Sequence, residues 1–407
     1  MNYNYRYRLK PSDDIREQLA WTVDTCRQVY NHFLHRLNRH DDTSAYSEQK
    51  QLPDLKKWWN ELKQVHSKVL QKVVKRLYDN FSRLADAKNS GRRIGQLKWK
   101  GEHEYRSFTY SQSGFKLKNT SGQTRLWLSK IGEIPITFYR DLPDNADIKT
   151  VTVKREPTGK WYAILGVETP DNPPEKPETP KRCVGIDVGI LTYAHDTDGT
   201  AVGSLDLSDE RERLERAQRD LSRKEHGSNN WEEQRRIVAE RHADLKHKRR
   251  DFLHKLSNHY AREYDLVAVE DLDAAGLVEL PGNSRTRAGA AWGTFLRMLK
   301  YKCEREGTHF VAVEPAGTTK ECAACGISTD KPLWVREHSC PACGFTADRD
   351  WNAAWNILSR GIKRLGEGRS ESTPVETALP TGITTVPAKR VVEAGSPTLK
   401  REPSGER

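Results

Sequence analysis

No run of 18 apolar residues occurs in this 407-residue chain, and the mean hydropathy is −0.84, so no membrane-spanning helix is expected. The opening MNYNYRYRLK has no apolar signal core, so export is not expected either. No internal repeat is visible. No Ser/His/Asp or Cys/His arrangement stands out, and neither the SDE nor the DGT run forms a phosphate-binding glycine loop. Cysteine is sparse and odd in number, at seven. Four form two CxxC pairs, and Cys26, Cys183 and Cys303 are scattered. That distribution argues against a disulfide framework and for a metal site plus free thiols in a reducing compartment, the cytoplasm.

Cations and rings are plentiful. The net charge is +11, with 11 Trp and 14 Tyr, which favours a polyanionic partner, most simply nucleic acid. A merely basic soluble protein is the bland alternative. Two segments are specific candidates for nucleic-acid contact. Lys98, Trp99, Lys100, Tyr105, Arg106 and Phe108 mix cations with rings, a pattern suited to RNA or single strands, although buried strand aromatics would read the same way. Lys246, Lys248, Arg249 and Arg250 cluster on a long charged helix, where they either contact phosphates or form a solvated face.

The periodicity changes along the chain. Asn2 to Lys10 alternates as a strand. Residues 11–95 read as helices, the first with Ser12 as its N-cap, and Leu62, Val65, Val69, Val73 and Leu77 near helical spacing in a later one. Period two returns over 96–170, giving an all-β unit (1–10 and 96–170) built as a small barrel and interrupted by a helical insertion. Thr169 to Arg182 carries five prolines and is a linker, placed at 171–182. Beyond it, three strands, long charged helices, a strand, a helix, another strand, a cysteine module and a last helix predict a mixed α/β sheet. The multidomain α+β chain is thus divided into this β unit, the insertion (11–95), an α/β domain (183–321 and 346–366) and the cysteine module (322–345). A tail (367–407), rich in Ser, Thr, Pro and Gly, is expected to be disordered.

Two constellations carry chemistry. Cys322, Cys325, Cys340 and Cys343 form two CxxCG knuckles with 14 residues between the pairs. Four thiolates suit a tetrahedral, structural Zn²⁺, and Gly326 and Gly344 allow the chain to turn behind each pair. His338, between them, is expected at the surface. The second constellation is acidic. Asp187 sits inside the apolar CVGIDVGI, Glu270 closes the apolar DLVAVEDL, and Asp348 and Asp350 precede the last helix. A carboxylate on a buried strand is costly unless paired or cation-bound. Oxygen donors of this kind suit Mg²⁺ or Mn²⁺, which could serve two-metal phosphodiester cleavage. Each acid also has a plain reading: Asp187 a turn residue, Glu270 and Asp271 the start of a helix, Asp348 or Asp350 an N-cap.

GIDVG, HKRRDFLHKLSNHYAREYDLVAVEDL and CAACG…CPACGFTADRDWNAAWNI, in this order, resemble the TnpB-type (OrfB) proteins of insertion sequences, which are RNA-guided DNA endonucleases related to type V CRISPR effectors. The resemblance covers about Cys183 to Leu358 and is weaker before it. It implies a wedge-like β-barrel with a helical recognition insertion, and an RNase H-like (RuvC) α/β nuclease domain carrying a four-cysteine zinc ribbon. It implies Asp187, Glu270 and Asp350 as catalytic residues and Mg ligands, with Asp348 a neighbour. It implies a guide RNA from the element's own end, double-stranded target DNA, a short target-adjacent motif read by the N-terminal domains, a monomer with RNA, and a prokaryotic, nucleoid-associated cytoplasmic location. Thr318-Thr319-Lys320 departs from the family's common Thr-Ser, without evident consequence. Base pairing would then read sequence while the protein reads shape and the short motif. The cutting site would take single strands, with a lid between Ala274 and Ala290. Two other functions use the same residues: a guide-RNA-dependent DNA-binding repressor that does not cut, and a strand-transferring transposase, although no helix-turn-helix is evident.

Overall fold

The computed structural model describes residues 2–40, 43–91, 94–120, 122–170, 172–273, 276, 289–332, 334–367 and 384–386. The lid expected between Ala274 and Ala290 lies almost wholly outside them, as does most of the tail. No helix among the described residues is long and apolar enough to cross a membrane. The chain divides into two compact units, residues 1–172 with 225–240, and residues 173–224 with 241–407.

The first unit is a seven-stranded sheet with helices inserted after its first strand. Strand β1 (Asn2–Leu9) is followed by helices α1 (Asp13–Leu37), α2 (Ala45–Gln49), α3 (Leu52–Trp58) and α4 (Ser67–Asn89). Strands β2 (Ser107–Ser111), β3 (Phe115–Thr120), β4 (Gln123–Leu128), β5 (Gly132–Thr137), β6 (Asp147–Arg155) and β7 (Trp161–Glu168) complete it. Helix α1 buries Leu19, Val23, Cys26, Val29, Tyr30, Phe33 and Leu34, one face at three- and four-residue steps. Helix α4 buries Val69, Leu70, Val73, Val74 and Leu77 in the same way. Ser12 stands at the N-cap of α1, but its side chain makes no capping bond.

The strand order is β2-β6-β7-β1-β5-β4-β3, so β1 lies in the middle, antiparallel to both β7 and β5. The expected small barrel is therefore open. Its ends are β2 and β3, consecutive in sequence, and no ladder between them closes the ring among the described residues. Tyr105 and Phe108 are buried in this unit's core, so their rings are structural, whereas Trp99 is exposed.

The second unit is a mixed sheet. Strands β8 (Cys183–Val188), β9 (Thr192–Asp196) and β10 (Thr200–Gly203) form an antiparallel meander. Helices α5 (Ser208–Ser222) and α6 (Asn229–Glu263) lead to β11 (Leu266–Glu270), which returns parallel to β8. Helix α7 (Trp292–Glu306) then leads to β12 (His309–Val313), parallel to β11. A hairpin of β13 (Glu337–Ser339) and β14 (Thr346–Asp348) precedes helix α8 (Arg349–Glu367). In the tail expected to be disordered, Thr384–Val386 form a short strand, β15, parallel to β10.

Strand alternation gives this sheet two apolar faces. Val184, Ile186, Val267 and Val269 pack with Phe252, Leu253, Leu256, Phe295 and Leu299 of α6 and α7. Leu266 and Ala268 pack with Ile357 and Leu358 of α8. Cys183, Gly185 and Asp187 share the α8 face by parity.

On the α6 face lies a buried acid. Asp196 accepts from the backbone N–H of Thr200 at 2.8 Å and from the Tyr260 hydroxyl at 3.1 Å, yet burial pushes its carboxyl up to about 7. The folded chain thus holds a proton here that the unfolded chain releases near 3.8. This contribution to stability is complete below that value and is lost as pH rises through about 7. Asp196→Asn should remove the dependence. In urea unfolding, the variant should gain on wild type by up to ~1.4 kcal/mol per pH unit across that window and hold a constant difference above it. A difference that does not vary with pH would mean Asp196 stays ionised in the fold.

Candidate active site and cysteine centre

Three sequence segments bring the acids to the α8 face of the sheet. Strands β8 and β11 run parallel, with Ala268 beside Gly185 and Val269 beside Ile186. The next step of that register sets Glu270 beside Asp187, on strands about 4.8 Å apart. Both carboxylates therefore leave the carboxyl ends of adjacent parallel strands from the same face. Helix α8 supplies the third. A Cβ on Gly185 would lie 2.1 Å from the Ala354 carbonyl oxygen and 2.8 Å from the Leu358 nitrogen, so the helix backbone rests directly on β8 there. From Ala354 back to Asp350 is about 6 Å of helix, and from Gly185 on to Asp187 about 6.6 Å of strand. The helix runs opposite to the strand, so its first turn lies over Asp187.

The electrostatics agree with this placement. Burial, and after it the charges of Glu270 and Asp350, hold the Asp187 carboxyl well above the usual range, with Arg349 pulling the other way. Burial also raises Glu270, against a 2.6 Å hydrogen bond donated by the Thr318 hydroxyl and the charge of Arg360. Asp350 is flanked by the guanidinium groups of Arg349, at 2.8 Å, and Arg336, at 3.3 Å. Carboxylate oxygens of this kind suit a divalent cation, although Asp187, Glu270 and Asp350 are not a set whose ligand atoms all lie within 4.8 Å of one another, as those of His195, Asp348 and Asp350 are.

The two neighbouring aspartates divide the duties. Asp348 Oδ1 accepts from the backbone N–H groups of Asp350, at 2.8 Å, and Trp351, at 3.1 Å, and so caps α8. This leaves Asp350 free of the capping role. The start of α8 is pinned further. Trp351 Nε1 donates to the Thr197 carbonyl, and buried Asn352 and Asn356 donate to backbone oxygens of Glu321 and Thr318.

The cysteines converge as well. One sulfur of each of Cys322, Cys325, Cys340 and Cys343 lies within 4.8 Å of all the others. Cys322 and Cys343 are 3.7 Å apart and Cys325 and Cys340 3.6 Å. Zn–S bonds of ~2.3 Å in a tetrahedron set sulfurs ~3.8 Å apart, so the spacing fits zinc. The two knuckles repeat each other. Gly326 donates to the Cys322 carbonyl and Gly344 to the Cys340 carbonyl, each at a φ near that of a left-handed residue, 76° and 73°. Backbone N–H groups, that of Cys343 first, draw the Cys340 thiol down to about 6. Cys343, although its own bond from Phe345 lowers it, is driven up to about 12 by burial and the other sulfurs. Four thiolates in this space need a cation. His338 is not at the surface. Strand β13 turns it inward, fully buried beside Phe345, with Nδ1 2.9 Å from the Lys331 amine.

The sequence-based nucleic-acid candidates divide between the two units. Lys98 and Trp99 are exposed in the first unit, Lys100 is held by backbone bonds with Asn31, and Arg106 donates to the His103 carbonyl. In the second unit Lys246 and Arg250 are exposed, Lys248 pairs with Glu210, and Arg249 is half-buried with Nε unpartnered. Sequence reasoning missed Thr318, Asn352, Asn356 and His195. The asparagines alone left a signal, two amides four residues apart on the helix's apolar side.

Family models match three segments: a "Helix-turn-helix domain" over residues 1–41, a "Probable transposase" family over residues 164–280, and a "Cas12f1-like, TNB domain" over residues 292–357. The first names an element not expected from the sequence; over those residues the structure holds β1 and the unbroken α1. A Streptomyces pristinaespiralis protein named "Putative RNA-guided DNA endonuclease" is 34% identical over 374 residues, 88% of this chain and 89% of that one. The Escherichia coli K12 protein "Putative RNA-guided DNA endonuclease InsQ" is 31% identical over 391 residues, 89% of this chain and 93% of that one. Among solved structures, Cas12f1 in a complex with guide RNA and target DNA aligns with a TM-score of 0.59 at 14% identity, covering 85% of this chain and 83% of that one, a likeness of fold.

Proposed function

We propose that this chain, which belongs to the TnpB-type (OrfB) family of insertion-sequence proteins related to type V CRISPR effectors, cuts DNA under RNA guidance with Asp187, Glu270 and Asp350 as its catalytic acids. What supports the reading is that these residues stand at adjacent strand ends of one sheet and in the first turn of the helix packed on it, with the charges of Glu270 and Asp350 felt at Asp187. The second unit then serves as an RNase H-like nuclease domain, and residues 322–345 as a zinc ribbon. The first unit serves as a wedge domain with its helical insertion, reading a short target-adjacent motif.

Bound divalent cations would supply a polarised water and offset charge on the leaving oxygen. The chain's own residues do the rest. Asp187 and Glu270 present oxygens from rigid strand ends. Thr318 fixes one Glu270 oxygen, and Asp348, by capping α8, fixes the backbone that carries Asp350. Arg336 and Arg349, which neutralise Asp350 here, must turn away for a cation to enter. The ribbon delivers the chain through β14 directly into α8, so its sulfur-held fold also positions Asp350. The half-buried pocket takes a strand out of the duplex rather than a stacked helix, which suits DNA opened by pairing with a guide.

The test is to co-express the protein with the flanking DNA of its element, purify it, and sequence the RNA it retains. A single discrete RNA derived from the element end is expected. With Mg²⁺, the complex should linearise a plasmid that matches the guide next to the correct motif. Retention of the RNA with no cutting of any matched plasmid would favour the repressor reading; absence of a discrete RNA would remove guidance.

A further inference from the structure

Beside the three acids lies a side chain that neither the family assignment nor the proposed mechanism uses. His195 is on β9, in register with Asp187 across the antiparallel β8–β9 ladder. Directly paired residues on such a ladder project from the same face. His195 is therefore aimed into the carboxylate cluster, and it is 8% exposed. Its Nδ1 lies 3.4 Å from Asp348 Oδ1. One ligand atom from each of His195, Asp348 and Asp350 lies within 4.8 Å of the other two.

We propose that His195 is an additional protein ligand of the cation site, placing an imidazole nitrogen beside Asp348 and Asp350 and turning the site's preference from Mg²⁺ toward Mn²⁺. The proposal rests on the reading of Asp187, Glu270 and Asp350 as the cation site. Octahedral ligands at ~2.1 Å stand ~3 Å apart when adjacent and ~4.2 Å when opposite, so ligand atoms within 4.8 Å of one another must close by up to ~1.8 Å, and the His195–Asp348 pair at 3.4 Å by far less. Asp348 Oδ1, the oxygen nearest His195, is the same one that accepts the cap bonds, so Asp348 is already fixed beside the imidazole. Mg²⁺ demands oxygen donors and gives up water reluctantly, whereas first-row transition metals accept imidazole well. A site of carboxylates alone would favour neither so clearly.

The measurement is electron spin-echo spectroscopy of the zinc-loaded, RNA-bound full chain with Mn²⁺ at one equivalent, together with Mn²⁺ titrations competed by Mg²⁺. Wild type should show a ¹⁴N coupling from a directly bound imidazole, absent in His195→Gln and His195→Ala. Those variants should lose Mn²⁺ affinity by ~10–100-fold and Mg²⁺ affinity far less. Because the coupling is read on wild type, the test does not depend on a variant folding. Mn²⁺ bound with no nitrogen coupling, while Asp187→Ala and Asp350→Ala abolish binding, overturns the role of His195 and leaves the acid site standing. Mn²⁺ binding unaffected by Asp187→Ala and Asp350→Ala overturns the site itself. A coupling that survives in His195→Gln assigns the nitrogen to another histidine and overturns the proposal.

Discussion

Asp187→Ala should abolish plasmid cutting, by on the order of 10³–10⁴-fold, while the folded protein becomes no less stable than wild type and keeps its RNA. The two halves of that expectation have one cause. Asp187 is held in place against burial and against the charges of Glu270 and Asp350, so without a cation it costs the fold free energy. Its removal relieves a repulsion, which should leave Tm unchanged or raise it. In the proposed function the same carboxylate is an oxygen donor for the cations that would polarise the scissile phosphate. Metal-ion stabilisation is worth several kcal/mol, and each ~1.36 kcal/mol is tenfold in rate. A residue on an otherwise apolar strand whose loss damages catalysis without damaging stability is difficult to explain as structural. Cutting that persists in Asp187→Ala, measured by single-turnover cleavage at saturating Mg²⁺, would place the chemistry elsewhere. A large fall in Tm would make Asp187 a structural residue. Asp187→Asn, which keeps the shape but not the charge, should behave like the alanine variant in cutting.

The acids were legible in the sequence because burial and charge conflict there. Asp187 and Glu270 each interrupt or close an apolar strand, and only a cation or a partner resolves that conflict. Residues that work through position were not legible. His195 faces Asp187 only because the β8–β9 turn fixes the register, and a slip of one residue would put it on the α6 face beside Tyr260. Thr318 reaches Glu270 from 48 residues away, and nothing local marks its hydroxyl. Asp348 and Asp350 are alike as letters. The start of α8 separates them: the acid just before the helix caps it, and the one in its first turn projects over the sheet. The family resemblance points to Asp350, and the cap bonds engage Asp348. The open sheet of the first unit was illegible for a different reason. Alternation records which face of a strand is buried, and it is the same whether the outer strands meet or not. His338 was misjudged because a polar residue between two knuckles looks solvent-facing, until the β13–β14 register turns it inward.

Gly185→Ala should be the most damaging single methyl group in the second unit. The added carbon would lie 2.1 Å from the Ala354 oxygen, 2.8 Å from the Leu358 nitrogen and 2.9 Å from the Leu358 Cβ. Two of the three are backbone atoms inside a helix, so no rotamer change makes room. Either β8 bends or α8 lifts off the sheet. Neither motion is free, because Trp351, Asn352 and Asn356 tie α8 to the β9–β10 turn and to the stretch of chain before the first knuckle. Overpacking in a close-packed core costs about 1–3 kcal/mol and more where backbone must move, so a loss of at least ~3 kcal/mol is expected. Where the variant still folds, α8 stands off from β8, and Asp350 leaves Asp187 and Glu270. Cutting should then fall with the fold's other functions intact, RNA retention among them. The control is Gly95→Ala, where an added carbon meets nothing within 4 Å and no change in Tm or cutting is expected. Wild-type Tm and cutting in Gly185→Ala would show that α8 does not rest on β8 at this point, and with it would go the geometry that brings the third acid to the other two.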